Sequence, residues 1–456
     1  MGPFSLRVSA PPREPQHKRP KPRNTTLKDF AASEDPAVQA QLDRLAALSL
    51  PQGRLGLDTI RQLLARLGDP QKRLPPVFHV AGTNGKGSTC AYLRAMLEAQ
   101  GLTVHAAIKP HLVRYNERIR IAGELISDAE LAALLKEVLD IGEELGPSFF
   151  EVTTAATFLA FARHPADACV IEVGLGGRFD ATNVLEQPAA CGIATLGIDH
   201  EAFLLVPEEG APEDPMVRIA FEKAGIARPG SPLVTQNYPE ALEAEIALRA
   251  QLAGAPLHMR GHDWWADVDE TIEYRDRHGA LSLPLPPLPG RHQGDNAALA
   301  VAMLRHQDRV AVSPSAMAEG IRAARWPARL QLLGNGPLTA LAPGRQVWLD
   351  GGHNADAGLA IGRHFAGQQL HLVIGMLSNR YPATIIDPLE GRLESITAVP
   401  IQGSESHGAE AFPGARWASD VGEALKALPD DRLPVLIAGS LYLAGKVLAA
   451  NGEIPD

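Results

Sequence analysis

A short apolar run, Val77-Phe78-His79-Val80-Ala81, leads directly into Gly82-Thr83-Asn84-Gly85-Lys86-Gly87-Ser88, after which residues 89–97 return apolar side chains at helical spacing. Strand, glycine loop and helix in that order constrain the fold more than anything else in the chain, and Gly101 closes the helix as a C-cap. The loop also carries chemistry. Its glycines let backbone N–H groups approach an anion, a helix N-terminus follows, Lys86 adds a point charge, and Ser88 offers a hydroxyl to magnesium. The spacing departs from the usual phosphate loop, because Val80 stands where the first glycine would fall and Gly87 separates Lys86 from the hydroxyl. A ligand-free glycine-rich turn is the plainer alternative. The preceding strand, the following helix, the lysine and the hydroxyl together favour phosphate binding.

The pattern continues downstream. Ser127 with Glu130 reads as a capping box for an Ala- and Leu-rich helix, and Ala168-Cys169-Val170-Ile171-Glu172-Val173 reads as a buried strand. A second alternating series begins near Trp326-Pro327, with strands expected at 346–350, 370–374 and 434–438 and a helix at 421–428. Such alternation implies α/β architecture: a P-loop-type, mainly parallel sheet domain covered on both faces, then a smaller Rossmann-like α/β domain. With 456 residues there is more chain than one core usually holds. The expected divisions are a flexible arm at 1–25, rich in proline and in Arg7, Arg13, Lys18, Arg19, Lys21 and Arg23, a domain at 26–325 that carries the phosphate loop, and a C-terminal domain at 326–456.

Charge and cysteine usage narrow the function. Forty-three Lys and Arg against 53 Asp and Glu give a net charge of -10, so no overall basic field awaits a nucleic-acid backbone. No apolar run is long enough for a membrane span and the N-terminus lacks a secretory core, which makes the cytoplasm the expected location. Cys90, Cys169 and Cys191 are scattered without a CxxC pair, suggesting small buried residues rather than a disulfide framework or a zinc site.

The loop, from His79 to Thr89, resembles the nucleotide loop of the folylpolyglutamate synthase and dihydrofolate synthase family within the wider Mur ligase group. The likeness runs in family order through Pro110-His111-Leu112-Val113-Arg114-Tyr115-Asn116-Glu117-Arg118, Phe149-Phe150-Glu151, Glu172-Val173-Gly174-Leu175-Gly176-Gly177-Arg178, Asp199-His200 and Glu222-Lys223-Ala224-Gly225-Ile226. It continues through Arg291-His292-Gln293-Gly294-Asp295-Asn296-Ala297, Trp326-Pro327-Ala328-Arg329-Leu330 and Asp350-Gly351-Gly352-His353-Asn354. The resemblance implies an ATP-dependent amide ligase that joins L-glutamate to dihydropteroate, to (poly)glutamylated tetrahydrofolate or to both, through an acyl phosphate, with two magnesium ions. Family members are frequently bifunctional.

Residue by residue, the resemblance puts Asn84, Gly85, Lys86, Gly87 and Ser88 on the nucleotide, Ser88 on magnesium, and Glu172 and His200 on a second metal. Glu172 at a predicted strand end before a glycine turn, and His200 after Ile198-Asp199 at another, suit that edge of a sheet, although a lone Glu or His more often makes a salt bridge or sits satisfied in a core. Lys223 alone reads as an exposed lysine near a helix end; in the family this lysine is carbamylated, turning a cation into an anionic oxygen donor. Nucleotide contacts are implied for Asn296, Arg329, Asp350 and His353, with Lys86, Lys223, Arg329 and His353 as the catalytic set. Phe149, Phe150 and Glu151, with Phe179, Asp180 and Ala181, are implied on the pteroate side, where adjacent phenylalanines would otherwise suggest core. Arg329, beside the hinge-like Trp326-Pro327, suits a closing cation.

Two places depart from the family. Lys109 precedes Pro110-His111-Leu112 where a serine usually helps hold the first magnesium, and a protonated lysine has no lone pair for a metal. Residues 205–215 form a proline-rich acidic insertion, expected either beside the metal site or bulging into solvent. A P-loop NTPase or kinase, or a nucleotide binder that has lost catalysis, are the competing readings. A site completed within one chain favours a monomer.

Overall fold

The computed structural model describes residues 32–48 and 56–455, so the basic arm lies outside the described residues. Its first sheet has eight strands: β1 (Val77–Ala81), β2 (Val104–Ala107), β3 (Ile119–Ile121), β4 (Glu124–Leu125), β5 (Ala168–Glu172), β6 (Ala190–Ile193), β7 (Leu233–Thr235) and β8 (Leu257–Met259). They lie in the order β4-β3-β2-β5-β1-β6-β7-β8. From β2 to β8 every pairing is parallel, and β3 and β4 add an antiparallel edge. Successive side chains on β5 enter opposite cores: Cys169 and Ile171 pack on one face with the helices Asp128–Gly142 and Phe149–Arg163, while Ala168 and Val170 join Phe78, Val80 and Tyr92 on the other. That two-sided burial is why these strands read as continuous apolar runs.

The loop expected at 82–88 sits where the strand order reverses. β1 is flanked by β5 on one side and β6 on the other, so the ends of three parallel strands open a crevice at that point. β1 matches its expected span, and the helix runs Lys86–Ala99 with Gly101 following the cap in a left-handed conformation. The Ser127 hydroxyl accepts from the Glu130 N–H, but the Glu130 carboxylate turns instead to His164, so only half of that capping box forms. A complete box occurs at Ser148 and Glu151.

An antiparallel sheet of β9 (Trp264–Val268), β10 (Thr271–Asp276) and β11 (Gly279–Pro284) follows, which the sequence reading passed over. The signal was present: β9 and most of β10 alternate buried and exposed residues. The third sheet comprises β12 (Gln331–Leu332), β13 (Val347–Leu349), β14 (Leu370–Ile374), β15 (Leu393–Ala398), β16 (Arg416–Trp417) and β17 (Val435–Ala438), ordered β12-β13-β17-β14-β15-β16. All but β12 are parallel, and Leu372 and Val373 enter different cores, as expected for a sheet covered on both faces. The three cysteines are buried and unpaired, and no helix among the described residues is long and apolar enough to cross a membrane.

Candidate active site

The loop between β1 and its helix is strapped to the chain leaving β6. The Thr83 N–H donates to the Thr195 carbonyl at 2.7 Å, and its hydroxyl donates to the Gly197 carbonyl at 2.7 Å. Lys86 folds back so that Nζ donates to the carbonyls of Gly82 (2.9 Å) and Thr83 (3.2 Å). The two later glycines have separate reasons. Gly85 adopts φ 81°, and a β-carbon there would lie 2.4 Å from Oδ1 of Asn296, which the helix Arg291–Arg305 brings against the loop. Gly87 is helical, but a β-carbon would fall 2.3 Å from the ring of Trp326. The residue that spoils the usual loop spacing therefore makes room for a tryptophan at the start of the second α/β series.

Glu172 ends β5, next to β1, is 3% exposed, and accepts a hydrogen bond from the Lys109 N–H at 3.0 Å. Burial raises its carboxyl pKa, against the pull of Lys86. Lys223, on the helix Pro215–Ala224, is buried and not the exposed residue its sequence context alone suggests. Its Nζ donates to the Gly82 carbonyl at 3.0 Å, behind the loop and not on the cavity wall, and burial followed by Lys86 pushes its amine down to about 7. His200 is not at a strand end: β6 stops at Ile193, and His200 caps the short helix Glu201–Leu204 with φ 53°. Burial pushes its imidazole down to about 4 despite Asp199, which keeps the ring neutral, with a free lone pair, at neutral pH.

The third sheet closes the other side. Asp350, just past β13, accepts from the Leu330 N–H at 2.8 Å and the Gly352 N–H at 2.6 Å, and burial raises its pKa against Arg329. Ala328 and Leu330 both adopt positive φ, 56° and 45°, a costly backbone that presents Arg329 between them to the cavity. His353 contacts the Gly351 carbonyl through Nδ1 at 3.0 Å, and burial holds its imidazole near 4. Side-chain hydrogen bonds cross between the two sheets, among them one from Asn84 to Asp356 at 3.3 Å. Asn84 and Asn354 exchange side-chain hydrogen bonds of 3.0 and 3.4 Å, and Arg380 donates to Asp199. Burial alone would raise the Asp199 carboxyl, but His200 and Arg380 outweigh it and hold the group far below the usual range. Arg380, Asn354 and Trp326 were missed as site-forming residues, because nothing local marks a side chain whose partner lies on another sheet.

These groups converge on one cavity of about 760 Å³, whose wall includes Asn84 to Ser88, Glu172, His200, Asn296, Arg329, Asp350 and His353. Of the six acceptor-side candidates, Phe150 is on that wall. Phe149 stands edge-on to Tyr115 and Phe150; Glu151 is occupied as a helix cap, accepting from the Ser148 N–H and hydroxyl at 2.7 Å each. Arg178 lies over Phe179 at 4.2 Å, Ala181 belongs to the core, and Asp180 accepts the N–H groups of Gly174 and Leu175. The 205–215 insertion is tied down: its Glu208 receives Arg178 and Arg218, which also pair with Glu222.

Among the described residues no group of three or more His, Cys, Asp and Glu gathers as a ready metal cage. The Ser88 hydroxyl, the Glu172 carboxylate and the neutral His200 ring nevertheless face the same cavity as the loop. That sparse donor set fits an ion such as magnesium, which takes one or two protein oxygens and completes its shell with phosphates and water.

Holding a phosphate tail at the switch point of one sheet while a second sheet supplies a cation and a carboxylate is the property of two-sheet α/β enzymes that use a nucleotide. No protein-family model matches the chain. It is 33% identical over 423 residues to the dihydrofolate synthase/folylpolyglutamate synthase of Bacillus subtilis, covering 86% of this chain and 94% of that one. Among solved structures, Escherichia coli FolC in complex with DHPP and ADP aligns with a TM-score of 0.80 at 31% identity, over 90% of this chain and 97% of that one. A bifunctional folylpolyglutamate synthase/dihydrofolate synthase with Mn, AMPPNP and L-glutamate bound aligns at 0.78 and 31%, over 91% and 97%. The chain belongs to the dihydrofolate synthase/folylpolyglutamate synthase family.

Proposed function

We propose that this chain is an ATP-dependent ligase that joins the α-amine of L-glutamate to the carboxylate of dihydropteroate, of (poly)glutamylated tetrahydrofolate, or of both. The observation that carries the reading is the single cavity in which the loop, Glu172, Arg329, Asp350 and the aromatic wall at Phe150 meet. Relatives solved with ADP and DHPP, and with AMPPNP, Mn and L-glutamate, support the same ligand set. The acceptor carboxylate attacks the γ-phosphorus, the bond to the bridging oxygen breaks, and ADP leaves. The glutamate amine then attacks the acyl carbon of the resulting acyl phosphate, gives up a proton, and phosphate departs. An amide remains.

In this reading the loop N–H groups from Asn84 to Ser88 and the Lys86 ammonium hold the phosphates, and Arg329 stabilises the transferring group as the sheets close. Asn296, Asp350 and His353 position the nucleotide and the attacking amine. Phe150 bears on the pterin, while Asp180, its carboxylate filled by the N–H groups of Gly174, Leu175 and Thr182 and by the Thr182 hydroxyl, braces the turn after β5. Ser88, Glu172 and His200 hold magnesium, two ions in all, which when bound neutralises charge on the transferring phosphoryl group. Lys223 is carbamylated: a buried amine pushed down to about 7 has a substantial share of the free base that adds to carbon dioxide at neutral pH. The division into 26–325 and 326–456, with closure about Trp326-Pro327, belongs to the same proposal, as does a monomer. Purified protein with ATP, magnesium and glutamate tests it: the reading requires ADP release that depends on dihydropteroate or tetrahydrofolate, with a glutamylated product. Acceptor-independent phosphate release would instead mark an NTPase, and no turnover a degenerate binder.

A further inference from the structure

Three basic side chains around the loop already have protein partners: Lys86 on the carbonyls of Gly82 and Thr83, Lys223 on that of Gly82, and Arg329 on that of Ala328. Lys109 differs. Among the described residues, its Nζ is the one Lys or Arg nitrogen that is buried without a hydrogen-bond partner. Its place is fixed by neighbours on both sides. The backbone N–H holds Glu172, while the side chain lies over Gly174, where a β-carbon would come within 3.1 Å of Lys109 Cδ and 3.4 Å of Nζ. Asp180 Oδ2 stands 3.1 Å from the same point, yet Lys109 and Asp180 make no ion pair, because Asp180 is occupied by the N–H groups of Gly174 and Leu175 and by Thr182. Lys109 lines the same cavity as Phe150, Arg118, Glu172 and Ser88.

We infer that Lys109 is a substrate-binding residue that holds the reacting carboxylate of the acceptor between the aromatic wall and the phosphate loop, an inference that rests on the ligase reading above. A carboxylate brought into this walled site gives up hydration and needs a charged donor in exchange. Arg118 is committed to His111 through Nε at 2.9 Å, and the other nearby basic side chains are turned toward loop or backbone carbonyls. Lys109 supplies an amine that no protein group hydrogen-bonds, its charged form favoured by Asp180 and Glu172 and opposed by burial and Arg118, on the wall of the cavity the carboxylate must enter to reach the γ-phosphate. It thereby fixes which oxygen faces phosphorus, and it discriminates acids from neutral pterins.

The test is equilibrium binding to the full chain in the presence of ADP, with dihydropteroate and its carboxamide counterpart as probes. The wild-type chain should prefer the acid. Lys109→Met keeps the stem and removes the charge, and should weaken the acid roughly tenfold to a hundredfold, the range of a charged hydrogen bond, while leaving the amide unchanged. Lys109→Arg should restore most of the difference. In steady state the Met variant should raise KM for the acceptor and leave KM for ATP alone. Unchanged acid binding, equal loss of acid and amide, or a rise confined to the ATP KM would each overturn the inference. A wild-type chain that binds neither probe and shows no acceptor-dependent ADP release would sink the ligase reading instead.

Discussion

Replacing Gly87 by alanine sets two effects of opposite sign against each other. Gly87 is the second residue of the helix Lys86–Ala99 and its φ is not in the left-handed region, so alanine is the better helix former there by up to about 1 kcal/mol. The added methyl would lie 2.3 Å from Cζ2 and 2.7 Å from Cε2 of Trp326, well inside the carbon–carbon contact distance. A fused ring beside Pro327 has no flexible end to swing aside, and forced overpacking costs about 1–3 kcal/mol. The expected net is a loss of roughly 1–2 kcal/mol. Trp326→Ala removes the obstacle, and in that background Gly87→Ala should become neutral or stabilising, a coupling of about 1–3 kcal/mol. Urea unfolding of all four proteins by far-UV circular dichroism measures it. If Gly87→Ala costs the same with and without the ring, the packing argument is wrong. The glycine then serves backbone approach to phosphate, and ADP affinity should fall instead.

Three further outcomes follow from the site. Lys223 gains its neutral form as pH rises through about 7, so a carbamate signal from 13C-labelled bicarbonate should grow across that interval and vanish in Lys223→Arg. Arg380→Ala leaves Asp199 without its cross-sheet donor, and amide exchange should speed up around 197–200 and 377–380 while β1 and β14 stay protected; uniform exchange in all four segments would refute the pairing as a clasp. Glu208→Ala strips one carboxylate from two arginines that keep Glu222, one of them only 5% exposed, and should cost about 1–3 kcal/mol, visible as a lower Tm and faster cleavage within 205–214.

Legibility in the sequence followed locality. β1, the glycine loop and its helix could be read because period, turn and cap all lie within about two dozen residues, and β14 matched its apolar run for the same reason. Glu172 was singled out by the family resemblance, and the strand followed by glycines placed it at a sheet edge, where it ends β5. His200 lies on the cavity wall but not at the strand end expected for it, since Leu196, Gly197 and Ile198 look like strand while the chain instead turns into a short helix. Glu151 looked like a ligand handle and is engaged as a helix cap, which the Ser-x-x-Glu spacing from Ser148 could have indicated. Trp326 against Gly87 and Arg380 against Asp199 join residues far apart in the chain, and no periodicity encodes such pairs.

The exchange of hydrogen bonds between Asn84 and Asn354 has a thermodynamic corollary. A nucleotide that recruits the Asn84 side chain trades a contact to the third sheet for a contact to itself, so its observed affinity is a difference between the two. Linkage then works in both directions: whatever engages Asn354 from the C-terminal side changes nucleotide affinity by the same factor that the nucleotide changes its own. Asn354→Ala should therefore tighten ADP, although the residue belongs to the half of the molecule without the phosphate loop.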